Sequence, residues 1–161
     1  MLSAWAKILQ LVPDSKLFLK GKTFDTALGR ETAERRLAAA GIGMHRVIWE
    51  GHSTEYLSAY GKIDIALDTF PYPGGTTTCD ALFAGVSVVT LVGKTHNSRF
   101  GYSLLKNMQL EELCAHTWDD YIAIAANLAK DHERLLEYRL TLPRRMRMSP
   151  LMDDGGYMME L

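Results

Sequence analysis

Residues 63–92, IDIALDTFPYPGGTTTCDALFAGVSVVTLV, hold two short apolar runs on either side of a Pro- and Gly-rich loop and a helical pattern. The runs are 63–67 and 86–92, and β-branched residues crowd the second, which favours a strand. Strands that are almost continuously apolar are typical of a parallel sheet covered on both faces. This strand–loop–helix–strand unit therefore predicts an α/β fold.

The sequence on either side continues the alternation. Two further apolar runs, 17–19 and 47–49, come earlier, and each is followed by a polar turn. Apolar residues at helical spacing behind Ser3, a good N-cap, predict a first helix that ends at Pro13. From Ser98 onward the pattern is helical throughout. The other predicted helices are 32–40, one that Ser53 or Thr54 could cap and that reaches Tyr60, 77–83, 98–107, 118–130, 131–142 and a last one from Asp153.

Together these elements predict one Rossmann-like domain over residues 1–161. Its four main strands should form a parallel sheet with helices on both faces, and no antiparallel pair is expected among them. The predicted core covers about 1–110, and a helical appendage covers about 111–161. A chain of this length buries roughly 68–70% of its unfolded surface, enough for one core.

Composition argues against several classes of function. Eighteen basic and nineteen acidic side chains nearly cancel, and no basic stripe with interleaved aromatics is present, so nucleic acid is not an expected partner. No apolar run reaches membrane-spanning length and no signal-peptide pattern is seen, so a membrane is not expected either. Cys79 and Cys114 lack metal-ligand spacing. We expect a cytoplasmic protein without a metal.

The loop 68–75 leads into three threonines that open the next helix. Two prolines and two glycines make it a rigid turn. A helix N-terminus carries unpaired N–H groups and about half a positive charge, which suits a phosphate, and threonine hydroxyls add donors. The same pattern is also typical of a joint where one threonine simply caps the helix. The residues alone leave both interpretations open.

Ligands of open α/β sheets bind beyond the carboxyl ends of the strands. The segments at those ends are polar, and most carry glycine: 20–22, 51–53, 68–78 and 93–99. Lys20 could balance diphosphate charge, and His52 and His96 could touch a ligand, although each also fits a solvated turn. Asp64 and Asp68 lack the third acid that would support a paired-carboxylate glycosidase.

Two long motifs, IDIALDTFPY at 63–72 and GGTTTCDALFAGV at 74–86, resemble the signature of the SPINDLY and O-GlcNAc transferase family, glycosyltransferase family 41. The similarity continues through HNSRFG at 96–101, SPL at 149–151 and YMMEL at 157–161. It covers essentially the whole chain, and the bacterial SPINDLY-like branch is more similar than the animal enzymes.

The resemblance implies the C-terminal half of a two-lobed GT-B glycosyltransferase whose intact form carries tetratricopeptide repeats. The donor nucleotide would lie mainly on this half. Thr76 and Thr77 would hold the diphosphate. Asp80, four residues after the first threonine, would contact the ribose, and the segment 51–53 after the second strand would approach the base. With Lys20 added, the predicted nucleotide-sugar-binding residues are Gly75, Thr76, Thr77, Thr78, Asp80, His52, Ser53 and Lys20.

The implied reaction is transfer of a sugar, by default GlcNAc from UDP-GlcNAc, to a protein Ser or Thr hydroxyl without a metal or other cofactor. Positioning and stabilisation of the leaving diphosphate would carry most of the rate. The animal enzymes have a His where this chain has Gly75, and a Lys and a His where it has Ser53 and Tyr56. The donor therefore stays open among UDP-GlcNAc, GDP-fucose and UDP-glucose.

The family's catalytic Lys precedes the first helix, so no catalytic residue is assigned and we expect a fragment that is inactive alone. Its expected partners are the donor, an acceptor protein and the missing N-terminal half. An open surface around 70–75 and from Tyr157 onward predicts self-association. The alternative is a free-standing nucleotide-binding or interaction module without transferase activity. A glycogen synthase type enzyme is disfavoured, because its acidic C-terminal motif is absent.

Overall fold

The computed structural model describes residues 1–160, without the side chains of Tyr157 and Glu160. It contains two compact units, Met1–Ala59 and Tyr60–Leu161. The elements of the first unit are α1 (Leu2–Leu11), β1 (Leu17–Lys20), α2 (Ala27–Ala39) and β2 (Val47–Glu50). Those of the second are β3 (Ile65–Leu67), α3 (Thr76–Phe83), β4 (Ser87–Leu91), α4 (Phe100–Asn107), β5 (Cys114–Ala115), α5 (Trp118–Leu128), α6 (His132–Arg147) and α7 (Asp154–Glu160). Short 3-10 segments are Lys22–Asp25, Met44–Arg46, Tyr56–Lys62, Asn97–Arg99, Glu111–Leu113 and Pro150–Met152.

The strands form two parallel sheets. In the first unit β1 pairs with β2, with Leu17 opposite Val47. In the second, β4 lies between β3 and β5, with Ile65 opposite Ser87. Each strand pair in the described part of the chain is parallel, which confirms the predicted pairing. The four predicted strands are divided between two sheets, however, where the sequence indicated one.

The first unit packs α1 and α2 around a small apolar core. Its buried members are Ala6, Leu9, Leu17, Leu37 and Ile42. The Arg46 guanidinium donates hydrogen bonds to the carbonyls of Leu9, Val12 and Ser15 at the end of α1. Carbonyls in and just after the last turn of a helix have no N–H partner within the helix. One guanidinium supplies donors to three carbonyls in this region.

The second unit is organised around β4, every residue of which is buried. Helices α3, α4, α5 and α6 all contact this strand. The predicted apolar run is therefore a central strand covered on both faces, as expected for a parallel sheet. The sequence missed β5, a two-residue strand in the region predicted to be wholly helical. A two-residue pairing carries no periodic signal of its own, so that prediction was wrong.

Helix boundaries differ from the sequence-based predictions at several points. Helix α2 begins at Ala27, before the predicted residue 32, and the helix predicted to reach Tyr60 is the 3-10 segment Tyr56–Lys62. The N-cap of α1 is Met1, without a side-chain hydrogen bond, so Ser3 does not cap it. Helix α6 continues past Pro143, where the prediction ended the helix. Proline lacks the N–H that would bond the carbonyl of Arg139. That carbonyl lies against Gly85, at 2.5 Å from the position a Cβ would take, and Gly85 has φ +79.

Several large apolar side chains are exposed where open surface was expected. Tyr72 is 75% exposed, and Met158 and Met159 near the end of the chain are 69% and 90% exposed. Tyr157, from which the predicted surface begins, has its side chain outside the described residues. Self-association through this surface stays a prediction. Among residues 1–160, none of the helices has the length and apolar content needed to span a bilayer.

Candidate functional site

A buried carboxylate shapes the loop between β3 and α3. Asp68 follows β3 directly and is 7% exposed. Its Oδ1 accepts the N–H of Thr69 at 3.1 Å and of Gly74 at 2.6 Å, and its Oδ2 accepts the Thr90 hydroxyl at 2.7 Å. Burial raises the pKa of Asp68, while these three hydrogen bonds act in the opposite direction. The two ends of the loop are thus held by one side chain.

The N-terminus of α3 has donors without acceptors. Its N-cap is Gly75, whose carbonyl accepts the N–H groups of Thr78 and Cys79. Within residues 1–160, the N–H groups of Gly75, Thr76 and Thr77 have no hydrogen-bond acceptor. Thr76 and Thr77 are also exposed. An anion at this end of the helix would meet adjacent free amides and the favourable end of the helix dipole.

The three threonines differ in what they can offer a ligand. None of them caps the helix, because they occupy its first turn. Thr78 is buried, and its hydroxyl donates to the carbonyl of Gly74 at 3.1 Å. Tyr60 donates its hydroxyl to the backbone carbonyl of Thr77 at 3.1 Å, and the Thr77 side chain is exposed. Thr76 and Thr77 are therefore accessible from solvent, whereas the Thr78 hydroxyl stabilises the turn.

Asp80 lies one turn further along α3, four residues after Thr76, so the two side chains share a helix face. It is partly buried, and burial raises its pKa.

Burial and the charge of Asp80 also raise the pKa of the Cys79 thiol. The pKa of Cys114 is raised to about 12, chiefly by burial. Both thiols are therefore mainly protonated at neutral pH.

The segment after β4 lies beside the N-terminus of α3. A small open pocket of about 110 Å³ is lined by Tyr72, Pro73, Gly75, Asn97 and Phe100. The backbone after β4 is held by a bond from the Gly93 N–H to the Ser98 carbonyl at 3.0 Å. The N-cap of α3 thus opens onto a concave surface to which two strand ends contribute. His96 is exposed, and its ring meets that of Phe100 edge to face at 5.7 Å.

The other predicted site residues lie in the first unit, at the carboxyl ends of β1 and β2. Lys20 pairs with Glu50 at 2.6 Å and also donates to the carbonyl of Gly51 at 3.2 Å. Its charge is therefore already balanced within the unit. This pairing fits the interpretation of Lys20 as part of a structural turn as well as the binding role.

His52 and Ser53 are held by local backbone contacts. The N–H of His52 donates to the carboxylate of Asp25 at 3.0 Å, and the imidazole is exposed. A Cβ on Gly51 would collide with the same carboxylate, so any other residue there would displace Asp25 from this position. The Ser53 hydroxyl accepts the N–H of Glu55 at 3.1 Å. The structure thus groups Gly75, Thr76, Thr77, Thr78 and Asp80 on one helix and places Lys20, His52 and Ser53 on the other unit.

Sequence reasoning missed the polar residues beneath the loop. Thr90 interrupts the apolar run of β4, and a buried hydroxyl inside such a strand is a signal that a partner exists. Gly101 lies beside it: a Cβ there would collide with Thr90 Oγ1 and Asp68 Oδ2. No group of three His, Cys, Asp or Glu side chains suited to a metal ion occurs in the described part of the chain.

Adjacent glycines in the loop predict opposite responses to a methyl group. A Cβ on Gly74 would collide with Thr77 Oγ1 and lie 2.7 Å from Thr78 Oγ1, whereas a Cβ on Gly75 would meet nothing within 4 Å. Gly74→Ala should therefore lower the free energy of unfolding by about 1–3 kcal/mol. Gly75→Ala, at φ −103, should leave it unchanged or raise it by up to about 1 kcal/mol. Urea denaturation of both variants checks this, and equal losses would contradict it.

The raised pKa of Asp68 predicts a pH-dependent stability. Because the folded-state pKa exceeds the unfolded one, ionisation costs stability at neutral pH, and the cost disappears as pH falls through the raised pKa. Asp68→Asn retains an acceptor and cannot ionise, so it should unfold at a higher temperature than the parent at pH 7. The advantage should shrink at pH 4. Thermal unfolding followed by circular dichroism measures both, and an advantage that grows in acid would refute the assignment.

Comparison with known proteins places this chain among glycosyltransferases. The profile of Glycosyl transferase family 41 matches residues 1–161. Two plant relatives bear the name "Probable UDP-N-acetylglucosamine--peptide N-acetylglucosaminyltransferase SPINDLY". The one from Eustoma exaltatum subsp. russellianum is 39% identical over 166 residues, which cover 100% of this chain and 18% of the relative. The one from Solanum lycopersicum is 40% identical over 162 residues, which cover 98% and 17%.

A solved structure agrees in both fold and sequence. A mutant of the Thermobaculum terrenum O-GlcNAc transferase superposes with a TM-score of 0.91 at 36% identity. The match covers 99% of this chain and 31% of that one. The chain thus spans less than a fifth of the length of the two plant relatives and under a third of the solved transferase.

Proposed function

This chain belongs to glycosyl transferase family 41, and from that premise we propose that it is the nucleotide-sugar-binding portion of a protein O-glycosyltransferase. The donor would be UDP-GlcNAc, as the names of the plant relatives indicate for those proteins. The acceptor would be a Ser or Thr hydroxyl of another protein. Transfer would also require segments that the longer relatives possess beyond the length matched here.

The observation that carries the proposal is the open N-terminus of α3. Its free amides at Gly75, Thr76 and Thr77, with two exposed hydroxyls, form a set of donors suited to a diphosphate. Asp80, four residues after Thr76, would accept from the ribose hydroxyls. Contacts of His52 and Ser53 with the base, and of Lys20 with the donor, stay predictions that rest on the sequence and the resemblance alone.

The same donors fit the chemistry of transfer. When the acceptor oxygen attacks the anomeric carbon, the bond from that carbon to the diphosphate oxygen breaks and negative charge grows on the leaving diphosphate. Fixed N–H groups aimed at that oxygen stabilise the charge without reorganising. The acceptor proton would pass to a base for which this chain provides no assigned residue. The contribution of α3 is therefore to bind the leaving group.

Parallel calorimetric titrations with UDP-GlcNAc, UDP-glucose and GDP-fucose test the proposal. We expect UDP-GlcNAc to bind most tightly, in line with the names of the plant relatives. We expect UDP to displace it, because the proposed contacts are made mainly to the diphosphate. A peptide-transfer assay on the same preparation should yield no glycosylated product. Binding of GDP-fucose alone would overturn the donor assignment. Absence of binding by all three would overturn the donor-binding role and favour an interaction module.

A further inference from the structure

One side chain lies between the sheet and the donors of α3. The Asp68 carboxylate is almost fully buried, and its shortest hydrogen bond, 2.6 Å, goes to the N–H of Gly74. Gly74 immediately precedes the first of the three free amides. The residue directly before the free amides therefore has its own N–H bonded to the Asp68 carboxylate.

Asp68 is itself held at both its side chain and its backbone. Thr90 of β4 donates to Oδ2 at 2.7 Å, and Tyr121 of α5 donates its hydroxyl to the backbone carbonyl of Asp68 at 3.0 Å. Gly101 of α4 comes so close that a methyl group there would displace either the carboxylate or Thr90. Asp68 thus has little freedom to rotate, and the N–H of Gly74 is fixed relative to β4, α4 and α5.

We propose that Asp68 is a positioning residue for the nucleotide site: it fixes Gly74 so that the N–H groups of Gly75, Thr76 and Thr77 face the diphosphate before it binds. This inference rests on the proposed function. Preformed donors do not have to be ordered when the ligand arrives, so less of the binding free energy is lost. We call the hydrogen bond from the Gly74 N–H to Asp68 the tether. Without it the loop keeps its glycines and exposed threonines but loses the bond that orients the three free N–H groups.

Three variants separate positioning from general stability. Asp68→Ala removes the acceptor of the Gly74 N–H and should weaken UDP binding at least tenfold. Asp68→Asn keeps an oxygen for Gly74 and Thr69 and an amide group for Thr90, so its affinity should stay within threefold of the parent. Thr90→Val removes a neighbouring hydrogen bond but leaves Gly74 held. It should lower the unfolding temperature while affinity stays within threefold.

The measurements are calorimetry with UDP and amide hydrogen exchange at Gly74 by NMR. Exchange requires no nucleotide, so it tests the tether even if the chain binds no UDP, which would refute only the proposed function. In the parent and in Asp68→Asn, the Gly74 amide should exchange at least tenfold more slowly than an exposed amide. Unprotected exchange of the Gly74 amide in the parent would overturn the inference. Because this measurement uses the parent, it remains decisive even if Asp68→Ala does not fold.

Two binding results would also overturn it. One is a folded Asp68→Ala variant with the affinity of the parent, since the tether would then be irrelevant to binding. The other is Asp68→Asn or Thr90→Val binding as weakly as Asp68→Ala. That result would show that affinity follows charge or overall stability and not the Gly74 contact. Recovery of affinity in Asp68→Asn, with loss in Asp68→Ala, supports positioning.

Discussion

Replacing Thr76 and Thr77 together by valine is expected to weaken UDP binding by about 5- to 140-fold. Both side chains are exposed in the first turn of α3, beside amides that have no acceptor in the described residues. Each lost neutral hydrogen bond is worth about 0.5–1.5 kcal/mol, and a tenfold change in affinity corresponds to about 1.4 kcal/mol. The effect is bounded, because valine preserves side-chain shape and the backbone N–H groups remain.

Calorimetry on the double variant checks this result. Thr32→Val is a suitable control, since it makes the same change on α2 of the other unit and should leave UDP affinity unchanged. The double variant should also unfold at nearly the parent's temperature, because exposed substitutions usually change stability by less than about 0.5 kcal/mol. Parent-like affinity in a folded double variant would show that the diphosphate lies elsewhere.

The second large effect is on stability. Leu142 of α6 is 0% exposed, and Leu142→Ala should lower the free energy of unfolding by about 2–5 kcal/mol. Leu140, two residues earlier on the same helix, is 71% exposed. Leu140→Ala should change the free energy of unfolding by less than about 0.5 kcal/mol. Urea denaturation measures both.

This pair tests whether α6 belongs to the core of the second unit. The helix was predicted as part of a helical appendage of the same domain, and in the structure it contacts β4 and α3. Arg139 of the same helix donates hydrogen bonds to the carbonyls of Tyr60, Ile63 and Ala84. If Leu142→Ala cost no more stability than Leu140→Ala, α6 would not contribute to the core as described.

The parts of the fold that carry local patterns could be predicted from the sequence. The apolar runs at 17–19, 47–49 and 86–92 became β1, β2 and β4, and the helix after the Gly pair begins at Thr76. Each of these segments has a hydrophobic pattern typical of its own secondary structure. That pattern is visible in the local sequence, without knowledge of tertiary contacts.

Other features depend on contacts that local patterns do not contain. The pairing of β5 lasts two residues and exists only because β4 offers a neighbouring edge. Helix α6 continues past Pro143, and the carbonyl of Arg139 lies against Gly85, more than fifty residues away. The role of Asp68 likewise required Gly74, Thr90 and Gly101 to be seen together. The sequence indicated only that Asp68 ends a strand.

The most direct test of the central claim is an NMR titration of this chain with UDP, followed through backbone amide resonances. If the open end of α3 binds the diphosphate, the amide signals of Gly75, Thr76 and Thr77 should show the largest saturable shifts. The amide of Gly74, already bonded to Asp68, should shift less. Saturable binding that leaves these three signals in place while moving others would contradict the account, as would the absence of any shift at millimolar UDP.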